Sequence, residues 1–330
     1  MTMIQPATSG PPCIPPLSSY GTLTGQLFLY DGGKVAFESP ITESTTARER
    51  STAVTPHNKC ILVGGLSDGL LPCPYTGLLE QACASLEGGW SLIQPVLSSS
   101  YTGFGHGSLA RDCAEMESLL DYCIAHRNAS TFCLVGHSTG CQNIVYFLKH
   151  ARRDLQDRIR VAALQAPVSD REGVPDLDLQ ARNIDLALSM QSRGQAEEMM
   201  PRDAFWAPIT AQRYLDLNAR GGTDDFFSSD YTDEELRSRL AHVGSNRHGA
   251  RLKVLVAYSG KDEYIPADLD TEELTTRLVD AMNDACREDE MQVAIPLHLP
   301  LGNHNLSQGP NDAHTFVDAV ARLLADCEIN

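Results

Sequence analysis

Residues 131–148 read TFCLVGHSTGCQNIVYFL. An apolar run breaks at Gly136-His137-Ser138-Thr139-Gly140 and resumes at once with helical spacing. A turn so tight, with two glycines around a serine, lets a strand pass directly into a helix, and few architectures need that. GxSxG is the pattern of a nucleophile elbow, a strained strand-to-helix turn that points its serine hydroxyl out over a sheet. The glycines are required because neighbouring backbone crowds the turn. At an ordinary glycine frequency of about 7%, the bare pattern arises by chance in roughly one chain in ten of this length. Its weight therefore comes from the strand before it and the helix after it; without them it would be a glycine-rich turn in an ordinary βα unit.

The rest of the chain supplies the matching rhythm. LTGQLFLYDGGKVAFES predicts a β-hairpin, two apolar runs around Asp31, Gly32 and Gly33. KCILVGG, WSLIQPVLSSS, TFCLV, IRVAALQAP, KVLVAYSG and VAIPLHLP read as short strands. Between them lie helical stripes: Leu78, Leu79, Ala82, Cys83 and Leu86; then Leu109, Cys113, Met116, Leu120, Cys123 and Ile124, capped by Ser108. Asp270 and Glu273 open a helix bearing Leu274, Leu278 and Met282, and Phe316, Val317, Val320 and Leu324 stripe a closing one. Strand and helix in alternation predict a mostly parallel sheet with helices on both faces.

The alternation lapses between Val168 and Arg251, where Leu177, Ala181, Ile184 and Leu188 suggest an apolar helix face and Thr232 with Glu235 a capping box. An insertion between consecutive strands of such a sheet must sit at its edge or over its carboxyl end, so residues 170–250 are expected to form a helical lid. Residues 1–20, rich in Pro, Ser and Gly, are expected to be a flexible arm, with residues 21–330 forming the folded domain; the polar stretch from Ile41 to His57 reads as a loop.

Charge narrows the partners. With 26 basic and 43 acidic residues the net charge is −17, a field that repels phosphate backbones and anionic lipid. Neither nucleic acid nor membrane is expected as a partner; a small molecule is. No N-terminal apolar segment resembles a secretion signal, and the reading is of a soluble, cytoplasmic protein. The ten cysteines sit in apolar stretches with no CxxC and no zinc-ligand spacing, so they are expected as small core residues, with no metal or cofactor.

A serine hydroxyl needs a base to take its proton and a carboxylate to orient that base. In this kind of sheet the partners follow the nucleophile in the order acid, then histidine. Asp262, just past the strand KVLVAYSG, is the expected acid, with Glu263 and Asp268 as alternatives. Of the histidines after it, His298 lies inside a strand and His314 inside a helix, which leaves His304, in the loop LPLGNHNLS, as the base. The backbone amides of Leu66, in GGLSDGLL, and Thr139 are the expected oxyanion donors. His137 reads as a support packed beside the elbow. It is also a candidate substrate contact, together with Asp68, Phe205, Trp206, Phe226 and Phe227, the four aromatics reading equally as packing of the insertion onto the core. Asp203, Asp224, Asp225 and Asp230 in the insertion are candidate attractants for a cationic substrate.

The segments GGLSDGLL, SSSYTGFGHGSL, LVGHSTGCQ, LQAPVSDRE, FFSSDYTDEEL, YSGKDEYIP and GNHNLS together resemble a fungal and plant family of α/β-hydrolases grouped under domain of unknown function 1749. The likeness runs from about Gly25 to Leu324. It implies the α/β-hydrolase fold and a serine nucleophile, acid and base at Ser138, Asp262 and His304. It also implies an esterase activity that in one fungal member opens fusarinine-type siderophores inside the cell. Other readings of the same residues are a general carboxylesterase, thioesterase or acyltransferase, or a ligand receptor that has kept the fold without catalysis.

Overall fold

A computed structural model describes residues 20–39, 58–245, 252–286 and 292–329. The expected arm, apart from Tyr20, and the expected loop at 41–57 lie outside the described residues.

The hairpin is present as β1 (Gln26–Tyr30) and β2 (Lys34–Glu38), joined by the 3-10 turn Asp31–Gly33. The remaining strands are β3 (Asn58–Val63), β4 (Trp90–Val96), β5 (Thr131–His137), β6 (Ile159–Gln165), β7 (Lys253–Ser259) and β8 (Ala294–Leu299). They form one eight-stranded sheet in the order β1-β2-β4-β3-β5-β6-β7-β8. The β1-β2 and β2-β4 pairs are antiparallel and every other pair is parallel.

Side chains alternate across a strand, so a sheet covered on both faces reads as a continuous apolar run. On one face Cys60, Leu62, Cys133, Val135, Val161 and Ala163 meet α1 (Thr76–Ser85) and α10 (Pro310–Ile329), whose Phe316, Val317, Val320 and Leu324 point inward as expected. On the other, Ile61, Val63, Leu134, Ala162, Leu164, Val254 and Val256 meet α2 (Leu109–His126), α3 (Thr139–His150) and α9 (Thr271–Asn283). The caps at Ser108 and Asp270 form, each accepting from amides of its own first turn. Cys60, Cys73, Cys83, Cys113, Cys123, Cys133 and Cys141 are buried thiols of these cores. The short α4 (Arg153–Gln156) leads into β6.

The stretch between β6 and β7 divides in two by its packing. α5 (Leu177–Ser192) and α6 (Ala211–Asn218) share a small core of their own, with Ala187, Met190, Met200, Ile209, Tyr214 and Leu217. α7 (Asp233–Leu240), with its Thr232–Glu235 capping box, and α8 (His242–Ser245) instead join the main core through Leu236, Leu240 and Val243.

Two expectations for this stretch are corrected. The buried side of α5 carries Asn183, Ala187 and Met190, whereas Leu177, Ala181 and Leu188 are exposed and Ile184 is half-buried. The reason is polar: Asn183 turns inward to donate to the Ala204 carbonyl at 3.1 Å, which rotates the expected stripe outward. Phe226 and Phe227 belong to the main core, 5% and 1% exposed, packed among residues such as Tyr231 and Leu236.

Candidate active site

Loops from the carboxyl ends of β3, β5, β6, β7 and β8 meet around one cavity of about 670 Å³. That volume is ample for a small-molecule ligand. Ser138, between β5 and α3, has φ +53° and ψ −125°, a conformation costly for any side chain but glycine. Surrounding backbone holds it there: its amide donates to the Gln165 carbonyl at 3.0 Å, and its carbonyl accepts from the Cys141 amide at 2.8 Å. The flanking glycines are needed for space. A Cβ on Gly140 would lie 2.3 Å from the Val63 carbonyl, and one on Gly136 2.6 Å from the Gly140 carbonyl carbon.

The β3 loop comes equally close. A Cβ on Gly65 would stand 2.7 Å from the Ser138 Cβ and 3.2 Å from its Oγ, so only glycine lets the loop lie against the serine. Its shape is set by Asp68, whose Oδ2 accepts from the Gly65 amide at 2.7 Å while its own amide donates to the Gly65 carbonyl at 3.1 Å. Burial raises the Asp68 carboxyl above its ordinary range. Among the described residues the next amide, that of Leu66, donates to no protein acceptor. Thr139 is the first residue of α3, where helix amides have no partner within the helix.

His304, after β8, lies on the wall of the same cavity as Ser138. Its Nδ1 is 2.8 Å and 3.0 Å from the two oxygens of Asp262, whose side chain is wholly buried. A carboxylate there holds the proton on Nδ1 and leaves Nε2 free to act as a base. Glu263 does a different job: its carboxylate accepts from the His304 backbone amide at 2.7 Å and from Asn303 Nδ2 at 3.0 Å. His298 bonds to Thr271 and Glu272, and His314 is exposed on α10.

Gln165 is a part of the site that sequence reasoning missed. From the end of β6 its Nε2 donates to the His304 carbonyl at 2.9 Å, while its Oε1 accepts from His137 Nδ1 at 2.7 Å and from the Tyr75 hydroxyl at 3.2 Å. One amide thus links the elbow to the histidine loop; a lone glutamine at a strand end carries no pattern by which to find it. Tyr264 was also missed. Its ring meets the His304 ring edge-on at 4.6 Å, and its amide donates to Asp262 Oδ1 at 3.0 Å.

His137 is buried behind the elbow, with ring centroid 4.9 Å from that of His304. Burial, aided by the charge of His304, depresses its pKa from 6.5 to about 3. A histidine depressed in the fold contributes fully above pH 6.5 and loses that contribution as pH falls toward 3, because the unfolded chain takes up the proton first. At pH 4.5 the loss amounts to roughly 2–3 kcal/mol. His137→Gln is therefore expected to flatten the fall in Tm between pH 6.5 and 4 relative to the unmodified protein. Calorimetry across that range checks it; parallel curves would mean that His137 does not carry the acid sensitivity.

Phe205 and Trp206 line the cavity as expected, with Tyr264, Leu179 and Tyr214, and Trp206 is 60% exposed. Phe226 and Phe227 do not line it. Three of the four expected attractants are also used elsewhere: Asp224 pairs with Arg213 at 2.6 Å, and Arg171 pairs with both Asp225, at 2.8 Å, and Asp230, while Asp203 is not among the residues that line the cavity. The acidic side chains that line the cavity are instead Asp68, Asp170, Glu172, Asp176 and Glu263, and among the described residues that line it there is no lysine or arginine. Burial, with Asp224 next, pushes the Asp170 carboxyl up to about 7.

This strand order, with an elbow after β5, an acid after β7 and a histidine after β8, defines an α/β-hydrolase. The fold matches the siderophore hydrolase EstB from Aspergillus fumigatus with a TM-score of 0.71, at 26% identity over 93% of this chain and 98% of that one. The family model described as protein of unknown function (DUF1749) matches residues 16–324, and the chain belongs to that family. UPF0613 protein PB24D3.06c of Schizosaccharomyces pombe is 32% identical over 68% of this chain and 74% of its own length. Fusarinine C esterase sidJ of Aspergillus fumigatus is 29% identical over 73% of this chain and 78% of its own. Among the described residues no helix is long and apolar enough to cross a membrane.

Proposed function

We propose that the chain is a serine esterase that opens ester bonds of hydroxamate siderophores of the fusarinine type. The observation that carries the reading is the strained Ser138 sharing a cavity with a His304–Asp262 pair. His304 Nε2 takes the Ser138 proton as Oγ attacks the ester carbonyl, and the amides of Leu66 and Thr139 receive the oxyanion. The tetrahedral intermediate collapses, His304 passes the proton to the departing alcohol, and an acyl-Ser138 ester remains. Water, deprotonated by His304, then releases the acid and restores the serine. α5, α6 and their connection act as the lid over this chemistry.

Three findings support the substrate: the likeness to a fusarinine C esterase, the likeness to a siderophore hydrolase, and a cavity lined by acidic side chains, Glu172, Asp176 and Glu263 among them, with no lysine or arginine among its described lining. Fusarinines carry protonated amines, which such a lining attracts. Iron arrives with the substrate. The test is incubation with fusarinine C and its triacetylated form, with and without iron, followed by mass spectrometry. Release of the monomeric hydroxamic acid is expected. Turnover of p-nitrophenyl acetate without siderophore cleavage would point to a general carboxylesterase, and the absence of both would remove the esterase reading.

A further inference from the structure

A second, much smaller chamber of about 30 Å³ shares the wall Gly65, Leu66 and Asp68 with the large cavity and also touches Thr139. It has room for roughly one or two water-sized occupants. Three of the oxygens on its lining residues are buried with no hydrogen-bond partner among the described residues: Oδ1 of Asp112, Oδ1 of Asn143 and Oδ2 of Asp224. These residues come from α2, from α3 and from the loop after α6, and they are 3%, 7% and 2% exposed. The companion oxygens are occupied: Asp112 Oδ2 accepts from Ser99 at 2.8 Å, and Asp224 Oδ1 from Arg213 at 2.6 Å.

Buried acceptors without a donor are costly, and three brought to one chamber need a shared partner. The charge of the lining narrows what it is. Asp68, Asp112 and Asp224 stand against a single guanidinium, that of Arg213. Two water molecules can donate to all three oxygens but leave the excess negative charge in place. A small hard cation is coordinated by all three and reduces that excess. Among the described residues no three His, Cys, Asp or Glu side chains gather to hold a metal ion, which disfavours a transition metal and a carboxylate-held divalent ion alike.

We propose that this chamber binds an alkali cation, Na⁺ or K⁺, through Asp112, Asn143 and Asp224, and that the ion props the Gly64–Leu66 loop and the start of α3 from behind. The occupied site fixes the two segments that hold the Leu66 and Thr139 amides without touching substrate.

The test uses the full chain, exchanged into choline chloride and then titrated with NaCl, KCl or RbCl at constant ionic strength. A saturable rise in Tm of about 4 °C is expected for one of the alkali ions near 100 times its Kd. In crystals grown with RbCl, an anomalous peak is expected between the three oxygens. Asp112→Asn, which keeps the shape of the side chain, should abolish the ion-dependent rise while leaving a Tm in choline chloride near that of the unmodified protein. Asn143→Asp should instead tighten the titration by adding charge. Equal Tm in all the salts, or water in place of rubidium, overturns the proposal. Neither readout requires ester turnover, so the result is independent of the esterase reading.

Discussion

Ser138→Ala is expected to lower kcat for any accepted ester by about 10⁵-fold, with circular dichroism and the Tm preserved or improved. The size of the effect follows from the proposed chemistry: without Oγ no acyl-enzyme forms, and only substrate binding and the oxyanion amides remain to assist direct attack by water. The sparing of the fold follows from the geometry. Ser138 makes its structural bonds through its amide and carbonyl, to Gln165 and Cys141, and alanine keeps both. Any change in Tm should be small, because the strained φ of +53° disfavours both side chains alike. The same substitution should abolish labelling by a fluorophosphonate probe. Equal labelling of both proteins would place the nucleophile elsewhere.

Asp262→Asn is expected to be nearly as damaging, about 10⁴-fold in kcat, with KM little changed. The amide is nearly isosteric but presents an N–H to His304 Nδ1 and so favours the wrong tautomer. The adjacent carboxylate serves as the control. Glu263 accepts from the His304 backbone amide and from Asn303 and does not meet the His304 ring nitrogens, so Glu263→Gln, which retains one acceptor oxygen, should cost no more than about tenfold. Steady-state kinetics on one chromogenic ester compares the two. Reversed sensitivities would make Glu263 the orienting acid and overturn the reading of the His304–Asp262 pair.

Much of this was legible in the sequence, and what was legible shares a cause. Strands buried on both faces must be continuously apolar and short, so β3, β5, β6 and β7 announce themselves. The elbow has a rigid local pattern because its glycines answer to backbone collisions a few residues away, as Gly136 does with Gly140. Asp262 and His304 were expected from their order after strand ends, and the structure pairs them at 2.8 Å.

The misses have a different origin. Phe226 and Phe227 were open to either a cavity wall or core packing, because hydrophobicity does not distinguish the two, and they lie in the core. α5 was turned the wrong way because apolar spacing presumes an apolar partner, whereas its inward side carries Asn183. Gln165 reaches His304 across 139 positions, and Asp225 reaches Arg171 across 54; one sequence gives no sign of pairings so distant.

The separate small core of α5 and α6 has a consequence for how the enzyme can change. Because Ala187, Met190, Ile209 and Tyr214 pack with one another rather than with the sheet, this pair of helices can accept replacements that reshape the mouth above Ser138 while the strands beneath stay intact. Selectivity can then drift under one constant set of proposed reacting groups, as tooling is exchanged on a machine whose frame stays bolted down.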